Sequence, residues 1–304
     1  MKDSFYNFRF LLMFCALWQL SLAACRHQSG SELNLTGGVE DYDKLPTSVG
    51  LSPVSTITTM DPTCTGGFIT DRLLLTAAHC ILQFREFMLQ SNAVGIKVVS
   101  NAPAFRDTAF LSKEFVLHPD YQRLNPTLQA HNLDEIAAYD LGFIIFPPGS
   151  APPSMIMPIA REAPRVGDEV QLVGWGRDIM RNGTIIFGKR HYGRNKIFQI
   201  DAQKKDVIML KGVYASDGLG DDNNHASINV GDSGGPLFNS RNEAIGVVSY
   251  VEEPMVENRN TGTPEDHTKS FYVNLSQQIS KAYIEGVIRT YPSQPSVTTH
   301  PTSR

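Results

Sequence analysis

The sequence has few of the features that mark nucleic-acid-binding, metal-binding or membrane-spanning proteins. Its 304 residues carry a net charge of −4 and the basic residues form no run, which argues against a nucleic-acid partner. The four cysteines and eight histidines lack the paired spacing of zinc ligands. The 13-residue apolar run Phe10–Leu22 is too short to span a bilayer comfortably. What remains is an ordinary globular composition, for which we expect no metal and no cofactor.

The N-terminus has the pattern of a secretory signal peptide. Lys2 and Arg9 precede the apolar run, and small residues follow it, so residues 1–24 are predicted to be removed. The stretch Leu22-Ala23-Ala24-Cys25 resembles a bacterial lipobox. That resemblance implies that Cys25 is lipidated and becomes the first mature residue, anchoring the protein in the bacterial cell envelope on the periplasmic or surface face. The alternative is an ordinary cleavage site beside an unrelated cysteine. Residues 25–34 are predicted to be a tether or short pro-segment.

The remaining cysteines predict one disulfide. Cys15 leaves with the signal peptide and Cys25 would carry the lipid, so Cys64 and Cys80 are left as a pair. An even number of cysteines in an oxidising compartment favours a disulfide bond.

The rest of the chain alternates short apolar runs with turn residues, as in "LGFIIF" and "AIGVVSYV". Many short strands at this spacing predict a β barrel or sandwich. Residues 146–158 hold five prolines and are interpreted as a connector between two β halves. Apolar residues at helical spacing near a candidate N-cap, Ser276, predict a closing helix over about 276–290, and the tail 291–304 is predicted to be disordered. These apolar residues are Leu275, Ile279, Tyr283, Val287 and Ile288.

The hexamer "GDSGGP" (231–236) surrounds one serine with three glycines, an acid and a proline. Glycine allows positive φ and close approach of the backbone, so such a loop can direct successive N–H groups at one point beside an exposed hydroxyl. The alternative is a glycine-rich hairpin turn. The functional interpretation requires a base and an acid elsewhere in the chain.

His79 is the candidate base and Asp140 the candidate acid. His79 follows the predicted strand "RLLL" in the stretch "TAAHC", where a Cys64–Cys80 bridge would fix its loop. A buried carboxylate is needed to hold one tautomer of such a base, and Asp140 directly precedes "LGFIIF". Asp134 is the competing acid, but no strand follows it. Taken singly, a histidine beside a cysteine and an aspartate before a strand are often structural.

The stretches "CTGGFITDRLLLTAAHC", "YDLGFIIF" and "GDSGGPL" resemble, in this order, the chymotrypsin/trypsin family of serine peptidases. Further similar stretches are "LHPDYQ", "GWG" and "GVVSY", and the likeness extends from about Leu35 to Ile288. The resemblance implies an all-β fold of two six-stranded antiparallel β-barrels with a C-terminal α-helix. The peptidase domain would cover 35–290, with barrels at about 35–150 and 156–275.

The resemblance also assigns roles to residues around Ser233. It implies that His79, Asp140 and Ser233 form a catalytic triad, and that the N–H groups of Gly231 and Ser233 form the oxyanion hole. In the family, the acid beside the nucleophile pairs with a new N-terminus released by proteolysis. Asp232 would then pair with Leu35, although the stretch "LTGG" and the preceding Asn34 depart from the usual activation sequence.

The substrate pocket that the resemblance implies is uncharged and narrow. Ser227 would stand at its base, and Ser249, Val251 and Ser270 would belong to its walls. A lysine or arginine side chain would find no counter-charge, so cleavage after small or apolar residues is expected. The acidic loop 217–224 suggests calcium, but a solvated loop is the favoured interpretation.

These features predict a secreted, lipid-anchored serine endopeptidase that acts on proteins or peptides. Two alternatives stay open for its activation: a cut by another protease before Leu35, or an uncut chain that orders the loop through another contact. The alternative from another class is a catalytically silent binding or adhesion module of the same fold. An esterase with the same triad is disfavoured because the G-x-S-x-G at residues 231–235 is followed by Pro236 and a predicted strand, and not by the helix of the strand–turn–helix context that esterases have.

Overall fold

The computed structural model describes most of the chain from residue 39 onward. The described residues are 39–40, 43–55, 62–91, 93–100, 111–112, 114–124, 136–176, 178–179, 185–186, 189–204, 206–212, 226–252 and 268–293. All of them lie in one compact unit, Leu33–Arg304. The predictions for residues 1–34, Leu35, Asp134, the loop 217–224 and the tail beyond residue 293 fall outside this part of the chain.

The described residues form sixteen strands and three α-helices. The strands are β1 (Val39–Glu40), β2 (Ser48–Ser55), β3 (Cys64–Phe68), β4 (Leu73–Thr76), β5 (Ala93–Val99), β6 (Leu111–Ser112), β7 (Glu114–Leu117), β8 (Gly142–Ile145), β9 (Glu169–Gly174), β10 (Asp178–Ile179), β11 (Ile185–Ile186), β12 (His191–Asp201), β13 (Val207–Gly212), β14 (Pro236–Asn239), β15 (Ala244–Glu252) and β16 (Thr268–Asn274). The helices are α1 (Ala78–Ser91), α2 (Pro119–Leu124) and α3 (Gln278–Thr290), and 3₁₀ turns occur at Pro153–Met155 and Ala202–Lys204.

The N-terminal half forms an antiparallel barrel. Its strands are ordered β6-β5-β2-β3-β4-β8-β7. Because β6 and β7 flank residue 113, one segment of chain pairs with β5 at one end of the sheet and with β8 at the other. The sheet therefore closes on itself, and β6 and β7 together count as the sixth strand.

The C-terminal half forms the second barrel, in which β12, β13, β16, β15, β14 and β9 pair in sequence and β9 pairs again with β12. β1 adds to the outside of β12, and β10 and β11 form a separate two-stranded sheet. The predicted fold of two six-stranded antiparallel barrels with a C-terminal helix is confirmed.

Apolar side chains on both faces of β4 and β8 explain the unbroken runs in these strands. Leu74 and Ile144 point into the core of the first barrel, whereas Leu73, Leu75 and Phe143 belong to a second cluster. That second cluster also contains Phe238 and Val247 of the second barrel and Ile284 of α3. Alternation along a strand thus places a barrel interior on one face and the junction between the barrels on the other.

The closing helix α3 packs into the same junction. Ile284 and Val287 are buried there, and the Tyr283 hydroxyl donates a hydrogen bond of 3.0 Å to the carbonyl of Val116. The helix begins at Gln278 with Gln277 at the N-cap position, so the assignment of Ser276 as N-cap is wrong. The Asn274 side chain accepts hydrogen bonds from both the N–H and the hydroxyl of Ser276, which holds Ser276 in the preceding turn.

Helix α1 was not predicted from the sequence. Ile81 and Phe84 are buried against the first barrel, but Leu89 is 87% exposed, so the apolar residues do not form one continuous helical stripe. Among the described residues, no helix has the length and apolar character that a transmembrane helix requires.

Candidate active site

His79 lies at the start of α1, immediately after the strand β4. Thr76 ends β4 and Ala78 begins α1, so the histidine projects from the point where strand becomes helix. Cys80 forms a disulfide with Cys64 on β3, with 6.2 Å between their Cα atoms. The predicted disulfide is confirmed, and it fixes the backbone next to His79.

Asp140 lies just before β8 and is only 3% exposed. One carboxylate oxygen, Oδ1, accepts the backbone N–H of His79 at 2.9 Å. The other, Oδ2, accepts hydrogen bonds from His79 Nδ1 and from the hydroxyl of Ser249, both at 2.7 Å. An ionised carboxylate has no proton to donate, so Nδ1 of the ring must carry the proton and Nε2 is left with a free lone pair.

The pKa of His79 lies above its ordinary value of 6.5. Burial by itself lowers the pKa, but the negative charge of Asp140 and the hydrogen bond to it raise it by more. The carboxylate therefore both orients the ring and favours the protonated form that a general base must reach.

Ser233 lies in the loop before β14, which the glycines of "GDSGGP" make possible. Gly231 and Gly234 have φ of 100° and 79°, in the region that favours glycine. A Cβ on Gly234 would lie 2.1 Å from Thr76 Oγ1 and 2.5 Å from the Thr65 carbonyl oxygen. The loop consequently packs against β3 and β4, close to the strand end that carries His79.

Ser233, His79 and Asp140 all line one cavity of about 320 Å³. Among the described residues, no hydrogen bond joins the Ser233 hydroxyl to His79 Nε2. Instead, Nε2 lies 3.7 Å from Cys80 Sγ. Hydrogen bonds between nucleophile and base are often long in free enzymes and tighten when substrate binds. The arrangement places the side chains of Ser233, His79 and Asp140 around one shared space.

Two backbone N–H groups of the Ser233 loop have no acceptor among the residues that the structure describes. Within the described residues, the N–H groups of Asp232, Gly234 and Gly235 donate to Asn229, Val248 and Asp232, respectively. Those of Gly231 and Ser233, the residues predicted to form the oxyanion hole, donate to no acceptor in this part of the chain. Free donors beside a hydroxyl are the groups that an oxyanion requires.

Asp232 points away from this cavity into the protein and is 1% exposed. Its two oxygens accept backbone N–H groups of Gly176 and Asn229, each at 2.8 Å. Burial raises the pKa of Asp232 to about 7, although both hydrogen bonds lower it. A Cβ on Gly174 or Gly176 would lie 1.8 Å or 2.7 Å from Oδ1, which explains both glycines of "GWG". Its predicted partner, Leu35, lies outside the described residues.

Of the four predicted pocket residues, two line the cavity and two are buried outside its lining. Val251 and Ser249 line the cavity, and the hydroxyl of Ser249 is directed to Asp140. Ser227 and Ser270 are fully buried and do not line it. Val251 pairs with Ser270 across β15 and β16, and the Ser270 hydroxyl accepts the backbone N–H of Ile228.

Several cavity residues were not predicted from the sequence. Ile228 directly follows Ser227, so the predicted position of Ser227 in the pocket could have pointed to Ile228 as well. Tyr121 lies in "LHPDYQ", a stretch recognised for its likeness and not for its position in the site. The further residues are Ile136, Ala137, Asn229, Val230 and Tyr250.

Metal binding has little support in the described residues. Cys64, His79 and Cys80 are the group with suitable spacing, but the disulfide occupies both sulfur atoms. A metal site would require thiolates that are not available there.

The family of the chain follows from comparison with known proteins. The sequence model of the trypsin family matches residues 37–274. Among solved structures, neuropsin, a serine protease expressed in the limbic system of mouse brain, has the same fold with a TM-score of 0.55; it is 19% identical, and the match covers 83% of this chain and 98% of neuropsin. No curated protein matches the sequence. The chain belongs to the trypsin family of chymotrypsin-like serine proteases.

Proposed function

We propose that this protein is a serine endopeptidase in which Ser233, His79 and Asp140 form the catalytic triad. The observation that carries the proposal is the Asp140–His79 hydrogen bond of 2.7 Å, which leaves Nε2 as the accepting nitrogen on the cavity that Ser233 lines. The proposal is supported further by the N–H groups of Gly231 and Ser233, which donate to no acceptor among the described residues.

The proposed reaction proceeds through an acyl-enzyme. His79 Nε2 takes the hydroxyl proton as Ser233 Oγ attacks the peptide carbonyl carbon, and the N–H groups of Gly231 and Ser233 bind the resulting oxyanion. The imidazolium is stabilised by Asp140. When the tetrahedral intermediate collapses, the C–N bond breaks and the amine leaves with the proton from His79. Water, activated by His79, then hydrolyses the ester on Ser233.

The proposed substrates have small or medium apolar residues before the cleaved bond. Ile228 and Val251 form the cavity wall, and the buried Ser227 and Ser270 lie outside its lining. The apolar wall accommodates alanine or valine but offers no anion to a lysine or arginine, whose desolvation would cost several kcal/mol. The carboxylate of Asp140 also lines the cavity, but its oxygens are already bonded to His79 and Ser249.

We propose further that the protein is held in a bacterial cell envelope by lipid on Cys25. This proposal is supported by the sequence alone, through the apolar run Phe10–Leu22 and the stretch that ends in Cys25. The several acyl chains of a bacterial lipoprotein anchor stably, whereas one chain binds only marginally.

Activation is proposed to occur by a cut that frees the amine of Leu35 to pair with Asp232. A buried carboxylate with raised pKa gains from a cation beside it, since pairing offsets the cost of burying its charge. Only residues 25–34 would join the lipid to the domain, and neither Cys64 nor Cys80 lies there to keep the two parts linked. The same cut would thus release the enzyme from the membrane.

Replacing the nucleophile or the base tests the proposed activity. Ser233→Ala and His79→Ala should each lower peptide hydrolysis by at least about 1,000-fold, because nucleophile and base act as one unit. The control is Ser240→Ala, at an exposed turn position, which should keep parental turnover. The wild type should also react with an organophosphonate. A catalytically silent module would not be labelled, and near-parental turnover in either active-site variant would overturn the triad.

In the wild type, activity should fall at acid pH with a midpoint above 6.5, because His79 must be neutral to accept the proton and its pKa is raised. The measurement is the pH dependence of kcat/KM. A midpoint below 6.5 would contradict the raised pKa of His79, and activity that does not fall at acid pH would contradict its role as the base.

The cavity wall is tested with peptides that differ only in the residue before the cleaved bond. We expect the wild type to prefer alanine or valine, and Val251→Gly to raise kcat/KM for phenylalanine by about 10-fold or more, because it removes the side chain that narrows the cavity. Val166→Gly, at a position 62% exposed and away from the cavity, is the matched control. A wild-type preference for arginine, or no response to Val251→Gly, would show that the wall does not set specificity.

The anchor is tested by cell fractionation. Cys25→Ser should move the protein from the membrane to the soluble fraction, because it removes the thiol that carries the lipid. Cys15→Ser provides the control, since this cysteine leaves with the signal peptide and its loss should not affect retention. If the Cys25→Ser protein stays in the membrane, the lipid proposal is wrong.

The contribution of Asp232 to the stability of the uncut chain should fall as pH rises from about 4 to about 7. The Asp232 carboxyl keeps its proton to about pH 7 in the folded chain but releases it near 3.8 when unfolded, so the folded state binds the extra proton in this range. Asp232→Asn should reduce this slope in urea unfolding, whereas Asp168→Asn, at an exposed position, should not. An unchanged slope in Asp232→Asn would mean that Asp232 is not protonated.

The cut itself is tested by N-terminal sequencing of active enzyme. A start at Leu35 supports the proposed coupling of activation to release. Full activity in the lipidated chain that begins at Cys25 excludes it.

A further inference from the structure

Thr65 lies where the first barrel contacts the Ser233 loop. It follows Cys64 on β3 and is fully buried. Its backbone N–H donates to the carbonyl of Ser233 at 2.7 Å. Its own carbonyl accepts the Thr76 hydroxyl at 2.8 Å. The main chain of Thr65 is thus fixed between β4 and the loop, which leaves its side chain a defined direction.

The Thr65 hydroxyl joins two further backbone groups. It accepts the N–H of Trp175 at 3.2 Å and donates to the carbonyl of Gly231 at 3.0 Å. A hydroxyl has one proton, so the donation to Gly231 commits it and the lone pair serves Trp175. One side chain of the first barrel therefore connects the end of β9 to the nucleophile loop.

The Gly231 carbonyl belongs to the peptide unit that separates the two free N–H groups. The N–H of this same unit, on Asp232, donates to the carbonyl of Asn229 at 3.0 Å. Thr65 and Asn229 therefore hold the unit at both of its polar ends. The free N–H of Gly231 precedes this peptide unit, and the free N–H of Ser233 follows it. The orientation of the peptide unit therefore sets the angle between the two donors.

We propose that Thr65 is a positioning residue for the oxyanion site, acting through its hydroxyl on the Gly231 carbonyl. The inference rests on the proposed peptidase function. Without the hydroxyl, the buried carbonyl loses its partner and only the contact with Asn229 still holds the unit. The unit can then tilt, which Gly231 permits because glycine populates both signs of φ. Rotation would turn the Gly231 and Ser233 N–H groups away from a common point. Substrate binding in the cavity would not depend on the Thr65 hydroxyl, since Thr65 does not line that cavity.

The experiment compares Thr65→Val, which removes the hydroxyl at nearly constant shape, with Thr65→Ser, which keeps it. The readouts are kcat and KM on a peptide substrate and the Ki of a peptide aldehyde, whose hemiacetal oxygen occupies the oxyanion site. We expect Thr65→Val to lower kcat by on the order of 10- to 100-fold with KM within about twofold, and to raise the aldehyde Ki by a similar factor. Thr65→Ser should remain within about threefold of wild type.

The control for loss of a buried hydroxyl is Ser112→Ala. The Ser112 hydroxyl donates to the Ile145 carbonyl in the first barrel, away from the Ser233 loop. This variant should leave kcat and the aldehyde Ki unchanged. If Thr65→Val does not fold, Thr65→Ala and Thr65→Ser carry the same test, because they differ by one oxygen atom.

The outcomes separate this inference from the proposed function. If the wild type is not labelled by an organophosphonate, the peptidase proposal fails. If the wild type is labelled and active but Thr65→Val keeps its kcat and aldehyde Ki, Thr65 does not position the oxyanion site. A rise in KM with unchanged kcat, or failure of Thr65→Ser to restore activity, would also overturn it.

Discussion

The site depends on the hydrogen bonds that the buried carboxylate of Asp140 accepts. It accepts the backbone N–H and ring Nδ1 of His79 from the first barrel and the hydroxyl of Ser249 from the second. Burying a carboxylate is costly unless its lone pairs are satisfied, and three hydrogen bonds offset that cost. Because the donors come from both barrels, satisfying this one charge also fixes how the barrels meet beside His79.

The apolar core supports the same junction. β4 and β8 are buried on both faces, so Leu73, Leu75 and Phe143 pack against side chains of the second barrel and α3 while Leu74 and Ile144 fill the first. The strand that leads to His79 and the strand that follows Asp140 are thus held by close packing on two sides. Rigid strands allow the short loops at their ends to keep functional side chains in register.

The loop that carries Ser233 is ordered by polar contacts to its surroundings. Thr65 holds the carbonyls of Gly231 and Ser233, and Gly176 and Asn229 hold the carboxylate of Asp232. Most of the loop's backbone is thereby paired, which makes the free N–H groups of Gly231 and Ser233 stand out as the available donors. A preorganised pair of donors does not need to rearrange when charge develops on a substrate.

The sequence alone determined the features that depend on local chemistry. The apolar periodicity of α3 and the glycines of "GDSGGP" act through neighbours along the chain, so their patterns were sufficient to predict a helix and an unusual turn. The disulfide was predictable because only Cys64 and Cys80 remained to pair. The alternating short runs, together with the family resemblance, were sufficient for the barrels. Helix α1 was not predicted because its apolar residues form no continuous stripe along the helix. It is stabilised by the burial of Ile81 and Phe84 against the first barrel.

Only the tertiary structure decided how the separate stretches meet. The contacts of Asp140 with His79 and Ser249, and of Thr65 with Gly231, join residues 61, 109 and 166 positions apart, and no local pattern reports such pairings. The depth of the cavity was decided in the same way, since Ser227 and Ser270 are buried outside its lining and Ile228 and Val251 form its wall. Side-chain burial and hydrogen-bond satisfaction depend on all neighbours in space, and these become defined only when both barrels have closed.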